Sequence, residues 1–222
     1  MATLSRKPAR FDTFAELLHQ LGDVPLERIR LEAPPGKATE KDVLALRAGP
    51  ERRLCELIDG VLVEKAMSTH ASLLACLIIQ RIGNFIEKEN LGVVLGADGM
   101  IRTFPDQVRI PDVSFLSWER YPGEEVPDEG ISSFVPNLAV EVLSPGNTKA
   151  EIDRKLRDYF LAGVELVWVI DPKTQTAKSY TTPEDVQRIG KTGSLDGGSV
   201  LPGFRVTLKQ LFASLRRPRK RS

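Results

Sequence analysis

The chain has 222 residues, 41% hydrophobic and 27% charged, with two cysteines and a formal net charge of +1. These values exclude a disordered chain and a disulfide-stapled miniprotein, and at ~150 residues per domain they allow one large domain. No apolar run approaches the ~18 residues of a membrane span and no apolar stretch follows the basic residues near Met1, so a cytoplasmic protein with no membrane partner is expected.

Residues 1–10 read as a loose arm. Thr13 to Gly22 predicts a helix: Thr13 and Glu16 fit a capping box, Phe14, Leu17, Leu18 and Leu21 share a stripe, and Gly22 stops it. Pro34-Pro35-Gly36 breaks the chain, and a short helix is expected from Thr39 to Ala48 before Gly49-Pro50. Residues 1–50 therefore read as a helical N-terminal extension to a main domain over 51–215. Leu57-Ile58-Asp59-Gly60-Val61-Leu62-Val63 has the Asp-Gly pattern of a hairpin, with Asp59 as its turn residue. The longest helix is predicted over Thr69–Glu89. Strand-like runs follow at Val93–Leu95, Met100–Phe104 and Val108–Leu116.

Residues 119–136, rich in proline, glycine and acids, predict a long loop. Asn137–Leu143 is a buried-strand run, Thr148–Ala162 a helix boxed by Thr148 and Glu151, and Val164–Ile170 a further strand. Shorter strands at Ala177–Tyr180 and Val186–Ile189, a Gly-rich turn at 190–198 and a helix around Thr207–Leu215 complete the pattern. This order predicts an α/β (α+β) fold, a mixed sheet flanked by helices. Residues 216–222 form a basic tail with five cations. Without it the body carries 26 basic against 30 acidic residues, a net −4. Such a tail suits an anionic polymer and equally a solubilising end.

Cys55 and Cys76 read as small core hydrophobes in a reducing compartment. Together with His19 and His70 they show no zinc-ligand spacing. The informative residues are charges inside apolar runs. Glu141 lies in Leu138-Ala139-Val140-Glu141-Val142-Leu143, sharing a strand face with Ala139 and Leu143. A carboxylate there is costly unless it is paired or binds a metal. Asp112 follows Pro111, and proline inside a strand signals an edge or a bulge. Lys155 borders the apolar face made by Ile152, Leu156, Tyr159 and Phe160, where it could meet Glu141. Glu56 stands between Cys55 and Leu57. His70, near a helix start, reads as a capping or surface residue and more remotely as an acid–base group. Each acid reads equally as a satisfied buried polar group, and Glu141 with Lys155 as a buried ion pair.

Taken in order, Glu56-Leu57-Ile58-Asp59-Gly60, His70, Pro111-Asp112-Val113, Ala139-Val140-Glu141-Val142-Leu143-Ser144-Pro145, Lys155 with Tyr159, and Val167-Trp168-Val169-Ile170-Asp171-Pro172 resemble the Uma family of endonucleases. That family lies within the PD-(D/E)XK nuclease-like group. The resemblance runs closely over residues 50–172, and Leu201-Pro202-Gly203-Phe204 adds to it. It implies a restriction-endonuclease-like fold. By it, Asp112 is the acid of the PD half, Glu141 the second acid, and Glu56 an additional N-terminal acid. The wider group places lysine two residues after the second acid, where this chain has Leu143; the role then falls to Lys155 on the following helix.

The resemblance implies a metal-dependent endonuclease acting on nucleic acid, with DNA as the expected substrate and a homodimer as the expected assembly. Asp112 and Glu141 would bind Mg²⁺, with Mn²⁺ as the alternative ion, and Lys155 would assist the attacking water. Glu56 would complete the metal shell or hold Lys155 in place. Arg102, Arg109, Lys149, Arg154, Arg157 and the tail are candidate backbone contacts, each also explicable as a solvated charge. The alternatives are a non-catalytic nucleic-acid-binding or interaction protein that retains the fold, and a metal-binding or regulatory partner that never touches nucleic acid.

Overall fold

A computed structural model of the chain describes residues 11–121, 123, 125–213 and 215. The expected N-terminal arm and basic tail lie outside the described residues. The helices are α1 (Phe14–Gln20), α2 (Glu40–Ala48), α3 (Thr69–Glu89), α4 (Lys149–Ala162) and α5 (Leu208–Ala213). The strands are β1 (Ile29–Arg30), β2 (Cys55–Ile58), β3 (Val61–Glu64), β4 (Gly92–Leu95), β5 (Ile101–Phe104), β6 (Gln107–Arg109) and β7 (Val113–Ser117). They continue with β8 (Leu138–Val142), β9 (Leu166–Asp171), β10 (Thr176–Tyr180), β11 (Val186–Ile189), β12 (Ser194–Asp196) and β13 (Arg205–Thr207).

The strands build two large sheets. One is five-stranded and antiparallel, in the order β1-β3-β2-β6-β5; the other is six-stranded, in the order β11-β10-β9-β8-β7-β4. In the second sheet only β8 and β9 run parallel, joined by the crossover helix α4. This is the mixed sheet with flanking helices that the element order predicts. The five-stranded sheet is the addition. Its separation follows from one break: the Val108–Leu116 run is not one strand but two. Pro111 has no N–H for a ladder, and β6 and β7 on either side of Ile110-Pro111-Asp112 belong to different sheets. β12, inside the region expected as a turn, pairs with β13 to form a third, two-stranded sheet.

Residues of the expected N-terminal extension take part in both sheet and core. β1 pairs with β3, and Leu17, Leu21 and Val24 pack with Ile58, Val61 and Val63. Ala38 and Val43 join Leu57, Val108 and Ile110 in a second cluster. The two faces of β8 are used as its alternation predicts. Leu138, Val140 and Val142 pack with α3 residues Leu74, Ile78 and Ile82, while Ala139 packs with α4 residues Ile152, Leu156 and Tyr159. Glu141 shares the α4 side by the period of two. By length and composition alone α3 could cross a membrane; its stripe of Leu74, Ile78 and Ile82 is instead buried against the six-stranded sheet. Cys55 is buried, but Cys76 is exposed on α3, so its reading as a core residue is corrected.

Candidate active site

The break at Pro111 places an acid between the two sheets. Asp112 N–H bonds Val140 O at 2.9 Å, and Asp112 Oδ2 accepts from Val142 N–H at 2.7 Å. The side chain is thereby fixed against β8, the strand that carries Glu141. From β2, Glu56 Oε1 accepts the Ile110 N–H at 3.0 Å. Three short segments, none adjacent in sequence, thus converge around one helix.

That helix is α4. Its first turn is held by a capping box in which Thr148 and Glu151 satisfy each other's backbone N–H groups. Two turns on, Lys155 points inward and is 3% exposed. Its ammonium lies 3.1 and 3.0 Å from the two oxygens of Glu141 and 3.0 Å from Glu56 Oε1. Tyr159 OH, one turn further, donates to Glu141 Oε1 at 2.5 Å. Beneath them Arg109, 1% exposed, donates to Glu56 Oε2 at 2.8 Å and to Asp158 Oδ2. Around the rim, Arg28 grips Glu151 with two bonds of 2.9 and 2.7 Å, and Arg154 donates to Asp59 at 2.6 Å.

The charges set the protonation states. Burial alone would raise the Glu56 carboxyl, but Lys155 and Arg109 overcome it and hold Glu56 down at about 2. Burial pushes the Glu141 carboxyl above its ordinary value; Lys155 opposes this, and Asp112 and Glu56 add to it. Burial would also deprotonate Lys155, yet Glu141 and Glu56 outweigh it and keep the ammonium charged. Tyr159 is pushed well up by burial and by Glu141, so it is a neutral donor at physiological pH. Across this cluster six carboxyl groups (Glu56, Asp59, Asp112, Glu141, Glu151 and Asp158) face five cations (Arg28, Lys65, Arg109, Arg154 and Lys155). The excess is one negative charge.

Glu56, Glu141 and Lys155 are therefore brought together by direct bonds. Asp112 is joined to them through β8, and its own ion-pair partner is a residue sequence reasoning missed. Lys65 Nζ lies 2.9 Å from Asp112 Oδ1. In the sequence Lys65 follows Glu64 and reads as an ordinary charge after a hairpin. Arg109, Asp158 and Tyr159 were also missed as parts of the cluster. For Asp158 and Tyr159 the signal was position: each lies three or four residues from Lys155, on the buried side of α4.

Two expected backbone contacts are corrected by burial. Arg109 and Arg154 are engaged inside the fold and cannot reach a partner. Arg102 is paired with Glu40, and Lys149 with Asp153; Arg157 is exposed. His70 is exposed on α3 and lines a cleft of about 790 Å³ together with Ser68, Leu143, Ser144, Asp171 and Lys173. The cleft opens beyond the carboxyl ends of β8 and β9, where open α/β sheets place ligands. Glu56, Asp112, Glu141 and Lys155 are not among the residues that line it and are themselves buried.

Among the described residues, no group of three His, Cys, Asp or Glu side chains is arranged as a metal cage. The donor set still suits a hard divalent cation. Asp112 and Glu141 are oxygen donors, one on the segment that follows Pro111 and one on β8, to which that segment is bonded, and the surrounding cluster carries one excess negative charge. Mg²⁺ binds through one or two carboxylates and keeps waters and phosphate in its other positions.

A family model, Uma2, described as "Putative restriction endonuclease", matches residues 41–209. Among solved structures the chain is similar to a "putative nuclease belonging to DUF820" from Anabaena variabilis ATCC 29413. The TM-score is 0.67 at 21% identity, covering 77% of this chain and 96% of that one. At that identity the likeness is one of fold. No curated protein matches the chain.

Proposed function

The chain belongs to the Uma2 family, and from that premise we propose that it is a divalent-metal-dependent endonuclease hydrolysing phosphodiester bonds of nucleic acid. The observation that carries the reading is the three-way contact of Lys155 with Glu141 and Glu56 at the end of a strand fastened to Asp112. In this reading Asp112 and Glu141 hold Mg²⁺ or Mn²⁺. The cation, when bound, supplies a water of lowered pKa and neutralises charge at phosphorus.

The remaining work belongs to the chain's own groups. Glu56 is kept ionised, anchored by Arg109 and the Ile110 N–H, and so holds Lys155 in one orientation. Lys155 stays an ammonium, so in this reading it acts by its positive charge beside the charge that develops on the phosphate and not as a base. Tyr159 fixes one oxygen of Glu141. The strand enters through the cleft beside His70 and Lys173. The same reading takes DNA as the substrate, a homodimer as the assembly that cuts both strands, and the cytoplasm as the location.

A second reading is favoured by the closure of the cluster: both oxygens of Asp112 and of Glu141 already have partners. This reading is a nucleic-acid-binding protein that retains the fold without cleaving. Labelled duplex DNA and single-stranded RNA, incubated with the protein in Mg²⁺ and in Mn²⁺, separate the two. Cleaved products support the nuclease. Salt-sensitive association with no cleavage in either metal supports the second reading and contradicts the first.

A further inference from the structure

Lys65 is the second lysine of the cluster. It follows β3 directly, and its backbone N–H is tied to Leu54 O at 2.8 Å. Its side chain turns inward and is 4% exposed. The ammonium has three acceptors within reach: Asp112 Oδ1 at 2.9 Å, Ala97 O at 2.9 Å and Pro111 O at 3.3 Å. A lysine has three donors, so these contacts saturate it. As placed, Lys65 has nothing left to offer a substrate. With Val142 N–H on the other oxygen, Asp112 is also fully occupied.

We propose that Lys65 is a resident counter-cation that competes with the divalent ion for Asp112, so that metal loading is linked to substrate binding. This rests on the reading above in which Asp112 and Glu141 are the metal's ligands. An ammonium and a divalent ion on one carboxylate oxygen repel each other, so the metal gains Asp112 only when Lys65 swings off Oδ1. The charge balance says what makes that favourable. The cluster carries one excess negative charge; a divalent ion alone turns this into one excess positive charge, and one phosphodiester group brings it to neutrality. The phosphate also gives the displaced Lys65 ammonium a new acceptor. Metal and phosphate therefore bind with positive coupling, with Lys65 as the competitor for Asp112 that the phosphate draws away.

The test is titration of Mn²⁺ into the full-length protein and into Lys65→Met, followed by calorimetry in the absence of nucleic acid. Lys65→Met is expected to bind Mn²⁺ about tenfold more tightly or better. Equal or weaker binding by the variant overturns the competition while leaving the metal reading intact. Failure of both proteins to bind Mn²⁺ overturns the metal reading, and this inference with it. Thermal unfolding gives a second readout. Mn²⁺ should raise the melting temperature of Lys65→Met by more than that of the wild type. A variant that stays unfolded in saturating Mn²⁺ overturns the proposal, because the ion then fails to replace the ammonium.

Discussion

Arg109 shows how one buried cation holds this site. It lies between Glu56 and Asp158 with both carboxylates almost wholly shielded from water. Removing one member of a buried pair leaves the rest uncompensated, which typically costs about 3–5 kcal/mol. Arg109→Met should therefore lose stability of that order in urea unfolding; a loss under about 1 kcal/mol would contradict the pairing. Glu56 adds a pH dependence. Its carboxyl is depressed from 4.5 to about 2, so its stabilising contribution is present above pH 4.5 and is lost as pH falls towards 2. Glu56→Gln should flatten the acid limb of the stability–pH curve; an unchanged slope would show that Glu56 is not held ionised. At this scale legibility depended on contrast. Glu141, Glu56 and Lys155 stand out because a charge in an apolar run has to be explained. Lys65 follows Glu64 at the end of a hairpin, where nothing local distinguishes a buried cation from a solvated one, and Arg109, though flanked by Val108 and Ile110, reads by the period of two as a cation on a solvent face.

Among the elements, α4 carries the greatest demand, because it must present Lys155 and Tyr159 from one face while anchored at its start. Thr148 caps it and also donates to Gly22 O at 2.5 Å, tying α4 to the end of α1. Gly22 has φ +85°, and a Cβ there would lie 2.5 Å from Glu151 N. Thr148→Ala should cost about 1 kcal/mol through the lost cap, and Gly22→Ala should cost more, since both its backbone angle and the packing forbid a side chain. Equilibrium unfolding of the two variants checks the order; Gly22→Ala at or above wild-type stability would contradict the contact. The helices were legible because caps and periodicity are local. α3 spans the expected Thr69–Glu89, and α4 differs from the expected Thr148–Ala162 only in counting Thr148 as its cap. The division of Val108–Leu116 between two sheets was not legible as such. Pro111 signals a break in a ladder, but which sheet each half joins is decided by partners distant in the chain: Leu57 for Val108 and Val140 for Val113.

At the scale of the whole molecule, the two sheets and α4 make a site that neither sheet makes alone. β2 brings Glu56, β8 brings Glu141, the crossing segment between β6 and β7 brings Asp112, and α4 closes over them with Lys155. The hydrophobic cluster under α4 draws on both sides, with Ile101 from one sheet and Ala139 and Val167 from the other. The sequence pattern made the fold class readable because its strand–helix–strand unit from β8 to β9 is contiguous. It left the closure of the cluster unreadable, because burial of an acid depends on which distant surfaces cover it. The activity proposed for this buried cluster is phosphodiester hydrolysis. The most direct measurement is the rate of DNA cleavage in Mn²⁺ by the wild type, Glu141→Gln and Lys155→Met, each first shown to be folded by its melting curve. Cleavage is expected from the wild type, with a loss of about 100-fold or more in each variant, the range lost when one electrostatic contact to the transition state is removed. Cleavage at the wild-type rate by folded Glu141→Gln or Lys155→Met would contradict it.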